Sequence, residues 1–282
     1  DEAVISGEGW EDASNKVSYG ILRSYFTDKE LHSVTNYPFR NSILAYFEGS
    51  ESAELTIRRF KSLMENYPVH NFYALINMTG THDVERLMTV MLRISDGDIS
   101  AAKRLVKAYA AVMFTFPGVP LVYYGDETCV EGGTDPDNRR TYPWAREDGD
   151  MINHFSELAR LRRGSDVLTG GFIEFINARN TESDCSAVAY MRYNRDGLNV
   201  FGGKAEKNKT NYIKVICAVN RYGRSGESIE LSGLTPEECF TVISSDGKPQ
   251  RGALCGVNSD GRLFLEAVGT YVLLGVPGAA YR

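Results

Sequence analysis

Three stretches of this sequence carry side chains that could act together on one substrate. They are Gly7–Trp10 ("GEGW"), Asn77–Asp83 ("NMTGTHD") and Tyr123–Trp144 ("YYGDETCVEGGTDPDNRRTYPW"). Each contains a carboxylate and lies at the exit of a predicted strand. Two opposed carboxylates are what glycoside cleavage needs, because its transition state resembles an oxocarbenium ion. Such a cluster could equally bind a divalent metal, or perform acid–base work on another substrate.

The first stretch follows a short apolar run, Ala3–Ile5. That run predicts a buried strand with a turn at Gly7. Glu8 and Trp10 would then lie at the strand's exit, where the catalytic groups of parallel barrels gather. The alternative is a helix N-terminus, whose positive dipole end favours acidic residues.

The other two stretches also allow two interpretations. Asp83 could act in catalysis, or it could cap a helix that begins near residues 84–86. The last stretch is too long for an ordinary βα turn, and long loops of this kind are usually functional. Its Asp135 and Arg139 offer an acceptor and a bidentate donor for sugar hydroxyls, or else an ion pair within the loop.

The elements that must position these residues alternate between helix and strand up to about Arg163. Helical periodicity, continuous apolar runs and a candidate cap at Asp98 predict this pattern. The predicted helices cover residues 53–67, 99–116 and 152–162, and the predicted strands cover residues 73–78 and 119–124. Continuous apolar strands between helices indicate a parallel α/β sheet with both faces covered.

After Ser165–Gly171 the pattern changes to short strands separated by Gly, Asn, Asp and Ser. Residues from about 168 to 282 therefore predict an antiparallel β-sandwich. Within it, Ile213–Val219 alternates as a half-buried strand would, and Lys204–Lys209 ("KAEKNK") is expected to be a solvated loop. The predicted domains are residues 1–166 and 167–282.

Composition excludes several classes of function. The chain has 282 residues, a net charge of −6 and no basic run, so nucleic acid is not expected as a partner. Five widely spaced cysteines argue against a disulfide framework and a thiolate zinc site, and no metal or cofactor is expected. No apolar stretch is long enough to span a membrane. The cytoplasm is the favoured location.

"GEGW", "TGTHD" and "FPGVPLVYYGDE…GGTDPDNRRTYPW" together resemble the later sequence regions of the α-amylase family, glycoside hydrolase family 13. The neopullulanase and cyclomaltodextrinase branch is similar in the order and spacing of these regions. The resemblance covers the whole chain, and it implies a (β/α)₈ barrel, a carboxy-terminal sandwich and retaining hydrolysis of α-glucosidic bonds.

The same resemblance implies a role for each candidate residue. Glu8 would be the general acid/base, and Asp83 would stabilise the transition state. The substrate-binding residues would be His82 beside the scissile bond, Trp10 on the acceptor side, and Asp135 and Arg139 on the donor side.

Two features depart from the family pattern. Gly9 stands where a larger apolar residue usually precedes the Trp, which would alter the acceptor-side wall. The family's nucleophile motif, Gly-x-Arg-x-Asp on the fourth strand, does not occur in the chain, nor does the third-strand motif that ends in Asn-His. The resemblance places Glu8 on the fifth strand of the family's barrel. The chain is therefore expected to supply strands five to eight and the sandwich.

Two functions of different kinds remain open from the sequence. The chain could be the carboxy-terminal half of an active α-glucan hydrolase that acts on maltooligosaccharides or cyclodextrins. It could instead be a non-catalytic carbohydrate-binding or assembly module. Because a half barrel leaves open strand edges, its expected partner is the amino-terminal half of the same enzyme or a second copy of itself.

Overall fold

The computed structural model describes residues 3–26, 30–181, 187–205, 214–221, 227–245, 250–266 and 269–280. Contacts divide the chain into two compact units. The first unit is Asp1–Glu51 with Arg58–Ala159, and the second is Ser52–Ile57 with Arg160–Arg282. The sequence predicts the boundary at residue 166, and that domain assignment stays a prediction.

Helices account for much of the first 170 residues. They are α1 (Tyr37–Glu48), α2 (Ala53–Asn66), α3 (Val69–Phe72), α4 (Leu87–Ile94), α5 (Ile99–Thr115), α6 (Gly149–Arg163) and α7 (Asp166–Gly170). The three predicted helices are confirmed as α2, α5 and α6. Asp98 caps α5 as expected, since its side chain accepts a hydrogen bond of 3.0 Å from the Ala101 N–H.

Helix α1 is missing from the sequence prediction, although both of its ends carry recognisable signals. The Asn36 side chain caps its first turn by accepting from the Phe39 N–H, and Pro38 lies in that turn. Gly49 ends the helix with φ 97°, a left-handed conformation that glycine adopts at little cost.

The first unit also contains six short strands. They are β1 (Ser6–Gly7), β2 (Val17–Ser18), β3 (Ile21–Leu22), β4 (Ser33–Val34), β5 (Ile76–Met78) and β6 (Val119–Leu121). β1 pairs with β4 and β5 pairs with β6, all in parallel, and a parallel bridge from Thr35 to Ile76 joins the two pairs. The order β1-β4-β5-β6 is therefore one parallel ladder that follows the chain.

Burial differs between the inner and outer strands of this ladder. The β4 residues and Asn77 and Met78 of β5 are buried. At one outer edge Val4 and Ile5, just before β1, are 75% and 52% exposed, and at the other edge Val119 is 51% exposed. Both apolar edges of the ladder are thus open among the described residues.

Two predicted strands begin too early. Ala3–Ile5 is not a buried strand, because the ladder with β4 starts at Ser6. The strand predicted from Tyr73 starts at Ile76. Helix α3 begins after Pro68, and this helix and its final turn occupy the residues before Ile76.

The second unit is built from antiparallel strands. They are β7 (Phe172–Phe175), β8 (Asn177–Asn180), β9 (Val188–Tyr193), β10 (Lys214–Asn220), β11 (Ser228–Ser232), β12 (Glu238–Ser245), β13 (Leu254–Gly256), β14 (Arg262–Glu266) and β15 (Gly269–Ala280). One sheet has the order β13-β12-β15-β10-β9-β7 and the other has the order β14-β11-β8. Side chains from both sheets form one hydrophobic cluster, which includes Ile216, Leu231, Phe240 and Leu265.

The prediction that β10 is half-buried is wrong. Val215 and Cys217 on one face are as buried as Ile216 and Ala218 on the other. Helix α7 contacts β10 and its neighbour β9, and both strands lie inside the six-stranded sheet. Residues 206–213, which include Ile213 and most of the predicted "KAEKNK" loop, lie outside the described residues.

Four of the five cysteines lie in the described part of the chain. Cys129, Cys217, Cys239 and Cys255 are not part of disulfide bonds, and Cys185 lies outside the described residues. None of the described helices combines the length and the apolar character that a membrane span requires.

Candidate active site

Glu8 and Trp10 leave the end of strand β1 on a loop that is fixed to the next strand. The Gly9 N–H donates to the Thr35 hydroxyl at 3.0 Å, directly after β4. The indole of Trp10 stacks on the ring of Tyr37 with centroids 4.2 Å apart and an angle of 13° between the rings. Trp10 nevertheless keeps 49% of its surface exposed, so one face can receive a ligand. The loop is not helical, which rules out the helix-terminus interpretation of Glu8.

Tyr37 connects the two candidate catalytic loops. Its hydroxyl donates to Glu8 Oε1 at 3.4 Å and lies 2.9 Å from the Thr81 hydroxyl oxygen. Thr81 Oγ1 in turn accepts the N–H of Asp83 at 3.2 Å. Burial raises the pKa of Tyr37, and the negative charges of Glu8 and Asp83 add to the effect. Tyr37 therefore links the loop after β1, which carries Glu8, to the loop after β5, which carries Asp83.

The Asn77–Asp83 stretch runs from strand β5 into an exposed turn. His82 Nε2 lies 3.3 Å from Asp83 Oδ1, and both side chains are partly open to solvent. Helix α4 starts only at Leu87, with Arg86 at its N-cap position. The alternative in which Asp83 caps this helix is therefore wrong, and its carboxylate is available for another role.

The long loop after β6 contains two ion pairs at its surface. Arg139 Nε donates to Asp135 Oδ1 at 2.6 Å, and Arg140 pairs with Asp137 through two bonds of 2.9 Å. Asp137 and Arg139 lie in a short 3₁₀ turn. The ion pair foreseen as the alternative for Asp135 and Arg139 is thus present. It leaves both side chains about half exposed, so their role toward sugars stays a prediction.

Beneath these loops lies a buried polar network that the sequence analysis missed. Arg86 is fully buried, and its guanidinium donates to the Tyr124 carbonyl oxygen and lies 3.4 Å from Asp126 Oδ1. The hydroxyl of Thr79 donates to the other carboxylate oxygen of Asp126 at 2.6 Å. Arg40 Nε donates to the Thr79 carbonyl oxygen at 3.0 Å. Arg86 follows "THD" by three residues and Asp126 follows "YYG", and that proximity to the motifs was the available signal.

Asp126 gives the network a pH dependence that can be measured. Burial raises its pKa to about 6, although Thr79 and Arg86 act in the opposite direction. The folded state then binds a proton that the unfolded chain releases near pH 4. Stability is therefore expected to fall by roughly 2 kcal/mol between pH 4 and pH 6.5 because of this group, at 1.36 kcal/mol per pKa unit.

The variant Asp126→Asn should remove this component of the pH dependence. Urea unfolding of both proteins at several pH values gives the difference in their free energies of unfolding. We expect that difference to change between pH 4 and pH 6.5 and to stay constant above it. A difference that does not vary with pH would contradict the raised pKa.

Among the described residues, no three His, Cys, Asp or Glu side chains come together as a metal-binding group.

A family model described as the α-amylase catalytic domain matches residues 1–171. The chain belongs to the α-amylase family. Curated relatives in this family include an amylopullulanase from Thermoanaerobacter thermohydrosulfuricus, 34% identical over 219 residues, and neopullulanase 2 from Thermoactinomyces vulgaris, 35% identical over 199 residues. A cyclomaltodextrinase from a Bacillus species is 30% identical over 195 residues.

The matched region is a small part of each of these relatives. The alignments cover 71%, 67% and 68% of this chain, but only 14%, 29% and 31% of the amylopullulanase, the neopullulanase and the cyclomaltodextrinase. Each α-amylase family relative is therefore a much longer protein.

Solved structures extend the likeness to nearly the whole chain. An α-amylase from Geobacillus thermoleovorans complexed with acarbose has a TM-score of 0.71 and 18% identity, and covers 98% of this chain and 54% of its own. The debranching enzyme of Nostoc punctiforme has a TM-score of 0.70 and 21% identity, and covers 98% and 52%. At these identities the likeness establishes the fold, which is that of α-amylase family enzymes.

Proposed function

We propose that this chain is the carboxy-terminal half of a retaining α-glucan hydrolase. In this proposal the β1-β4-β5-β6 ladder forms strands five to eight of a (β/α)₈ barrel, and the two antiparallel sheets form a β-sandwich. The exposed apolar residues Val4, Ile5 and Val119 at the outer edges of the ladder support it, because strands one to four would cover them.

The observation that carries the catalytic proposal is the link from Glu8 through Tyr37 and Thr81 to Asp83. It supports a common pocket for the two carboxylates at the strand exits, where barrel active sites lie. Trp10 would line the acceptor side with its exposed ring face, and His82 would hydrogen-bond the sugar at the scissile bond. Asp135 and Arg139 would hold sugars on the donor side.

The reaction would proceed in two steps. An Asp from the amino-terminal half attacks the anomeric carbon, while Glu8 gives its proton to the departing glycosidic oxygen. A water molecule then attacks the glycosyl–enzyme ester, and Glu8 takes its proton. Asp83 stabilises the positive charge that develops on the sugar in both transition states.

The test compares the chain alone with the chain co-expressed with the region encoded upstream of it. We expect no hydrolysis of maltooligosaccharides or cyclodextrin by the chain alone, because a retaining mechanism needs a second carboxylate about 5–5.5 Å from the acid. Addition of the amino-terminal half should produce hydrolysis and, in a mass measurement in solution, a stable complex.

Two results would contradict this proposal. A monomer that cleaves these substrates unaided would mean that the nucleophile lies within the chain. Binding of glucans without cleavage, even with the upstream region present, would favour the carbohydrate-binding or assembly module instead.

A further inference from the structure

Asn138 holds the backbone on both sides of Asp83. It lies in the 3₁₀ turn Asp137–Arg139 of the long loop, and its side chain is fully buried. The Nδ2 amide donates to the His82 carbonyl oxygen at 2.8 Å and to the Val84 carbonyl oxygen at 2.9 Å. One carboxamide thus satisfies the two carbonyl groups that flank Asp83.

Arg86, three residues after Asp83, donates hydrogen bonds back to the loop that carries Asn138. Arg86 Nε donates to the backbone carbonyl oxygen of Asn138 at 2.6 Å, and the Arg86 N–H donates to the Gly132 carbonyl oxygen at 3.0 Å. Gly132 permits this close approach, because a Cβ atom there would lie 2.7 Å from the Asp137 carbonyl oxygen and 2.8 Å from Asn138 Cα. The two loops are therefore braced in both directions.

We propose that Asn138 is a positioning residue for Asp83, acting through the carbonyl groups of His82 and Val84. This inference rests on the proposed function, in which Asp83 stabilises the transition state. Asn138 and Arg139 lie in the same turn, so the orientation of Asp83 also depends on that turn. A displacement of the donor-side loop would then displace the Asp83 carboxylate as well.

The expected effect follows from the weak tethering of Asp83 elsewhere. Its own N–H is held by Thr81, but its side chain is partly exposed, with His82 Nε2 at 3.3 Å. Without the Asn138 carboxamide, the two flanking carbonyl groups would turn toward water. A misplacement of about 1 Å at a catalytic group can cost on the order of 10²-fold in rate.

The experiment compares Asn138→Ala with a matched control, Asn71→Ala, in the complete enzyme. Asn71 is also a buried asparagine of the first unit, and its Nδ2 donates to the carbonyl oxygens of Leu31 and His32 at 3.4 and 3.0 Å. Both variants should lower the melting temperature. We expect only Asn138→Ala to lower kcat, by about 10- to 100-fold, with KM for maltotriose within about twofold.

A second readout does not depend on activity. In the complete enzyme, Asn138→Ala should shift the NMR resonances of the His82 ring, assigned with His82→Gln, and Asn71→Ala should leave them in place. If Asn138→Ala does not fold, Asn138→Ser, whose hydroxyl can bond one of the two carbonyl groups, takes its place, and we expect it to lower kcat and to shift the His82 resonances while Asn71→Ala does neither.

The outcomes separate this inference from the proposed function. An unaltered complete enzyme that lacks hydrolytic activity would overturn the proposed function, and the His82 resonances would still report whether Asn138 orders the loop. Unchanged kcat and unchanged His82 resonances in a folded Asn138 variant would overturn the positioning role. Equal losses of kcat in the Asn138 and Asn71 variants would overturn it as well.

Discussion

Replacement of Glu8 by Gln in the complete enzyme is expected to lower kcat on maltooligosaccharides by roughly 10²–10⁴-fold. The amide keeps an oxygen that can accept the Tyr37 hydroxyl bond, so the loop after β1 should keep its shape. It has no proton of suitable acidity to give to the departing sugar. Activity on an aryl glycoside with an acidic leaving group should fall less in the first step, because that group departs without protonation.

Glu11→Gln is the matched control for this experiment. Glu11 lies three residues further along the same loop, is exposed, and pairs with Lys16 at 2.6 Å. We expect its kcat to stay within about twofold of the unaltered enzyme, as for most surface ion pairs. Near-normal turnover of maltooligosaccharides by Glu8→Gln would show that Glu8 is not the general acid.

The second large effect concerns stability rather than catalysis. Arg86→Met should lower the free energy of unfolding by about 3–5 kcal/mol, because it leaves the carboxylate of Asp126 buried with its nearest cation removed. Urea unfolding followed by tryptophan fluorescence measures this, since Trp10 and Trp144 both lie in the first unit. Arg93→Met is the control, because the Arg93–Glu85 pair is exposed and should contribute at most about 1 kcal/mol.

The double variant Arg86→Met/Asp126→Asn distinguishes a buried ion pair from simple loss of packing. Removal of both charges should recover much of the loss, since no unpaired charge remains. A double variant as unstable as the sum of the two single variants would mean that Arg86 and Asp126 act independently.

The sequence predicted the helices whose signals are local. α5 is an example, because Asp98, the apolar periodicity and Pro117 all lie within or beside it. It also located Glu8 and Asp83 at strand exits, since a motif and the strand before it are adjacent in the chain. β10 was misjudged because alternation along a strand does not show what covers its second face, and helix α7, which contacts β10, lies more than 40 residues earlier in the sequence.

The groups that hold the candidate site in place were not predictable in the same way. Tyr37 reaches Glu8 and Thr81 across 29 and 44 positions, and Asn138 reaches His82 across 56. Neither residue type indicates such a role, because a Tyr at the start of a helix or an Asn in a polar loop is ordinary. Only the fold brings these hydroxyl and amide groups to the loops that they support.

The amide of Asn77, in the middle of β5, helps to fix the register of the parallel ladder. Asn77 Oδ1 accepts from the Asn36 side chain at 2.9 Å, and its Nδ2 donates to the Pro117 carbonyl oxygen at 2.8 Å. Strands of two or three residues have too few ladder bonds to resist slippage. A slip of one residue would displace every following loop by about 3.3 Å and would leave the amide of Asn77 buried without partners. This one side chain therefore destabilises the out-of-register states, in which the candidate catalytic loops would not come together.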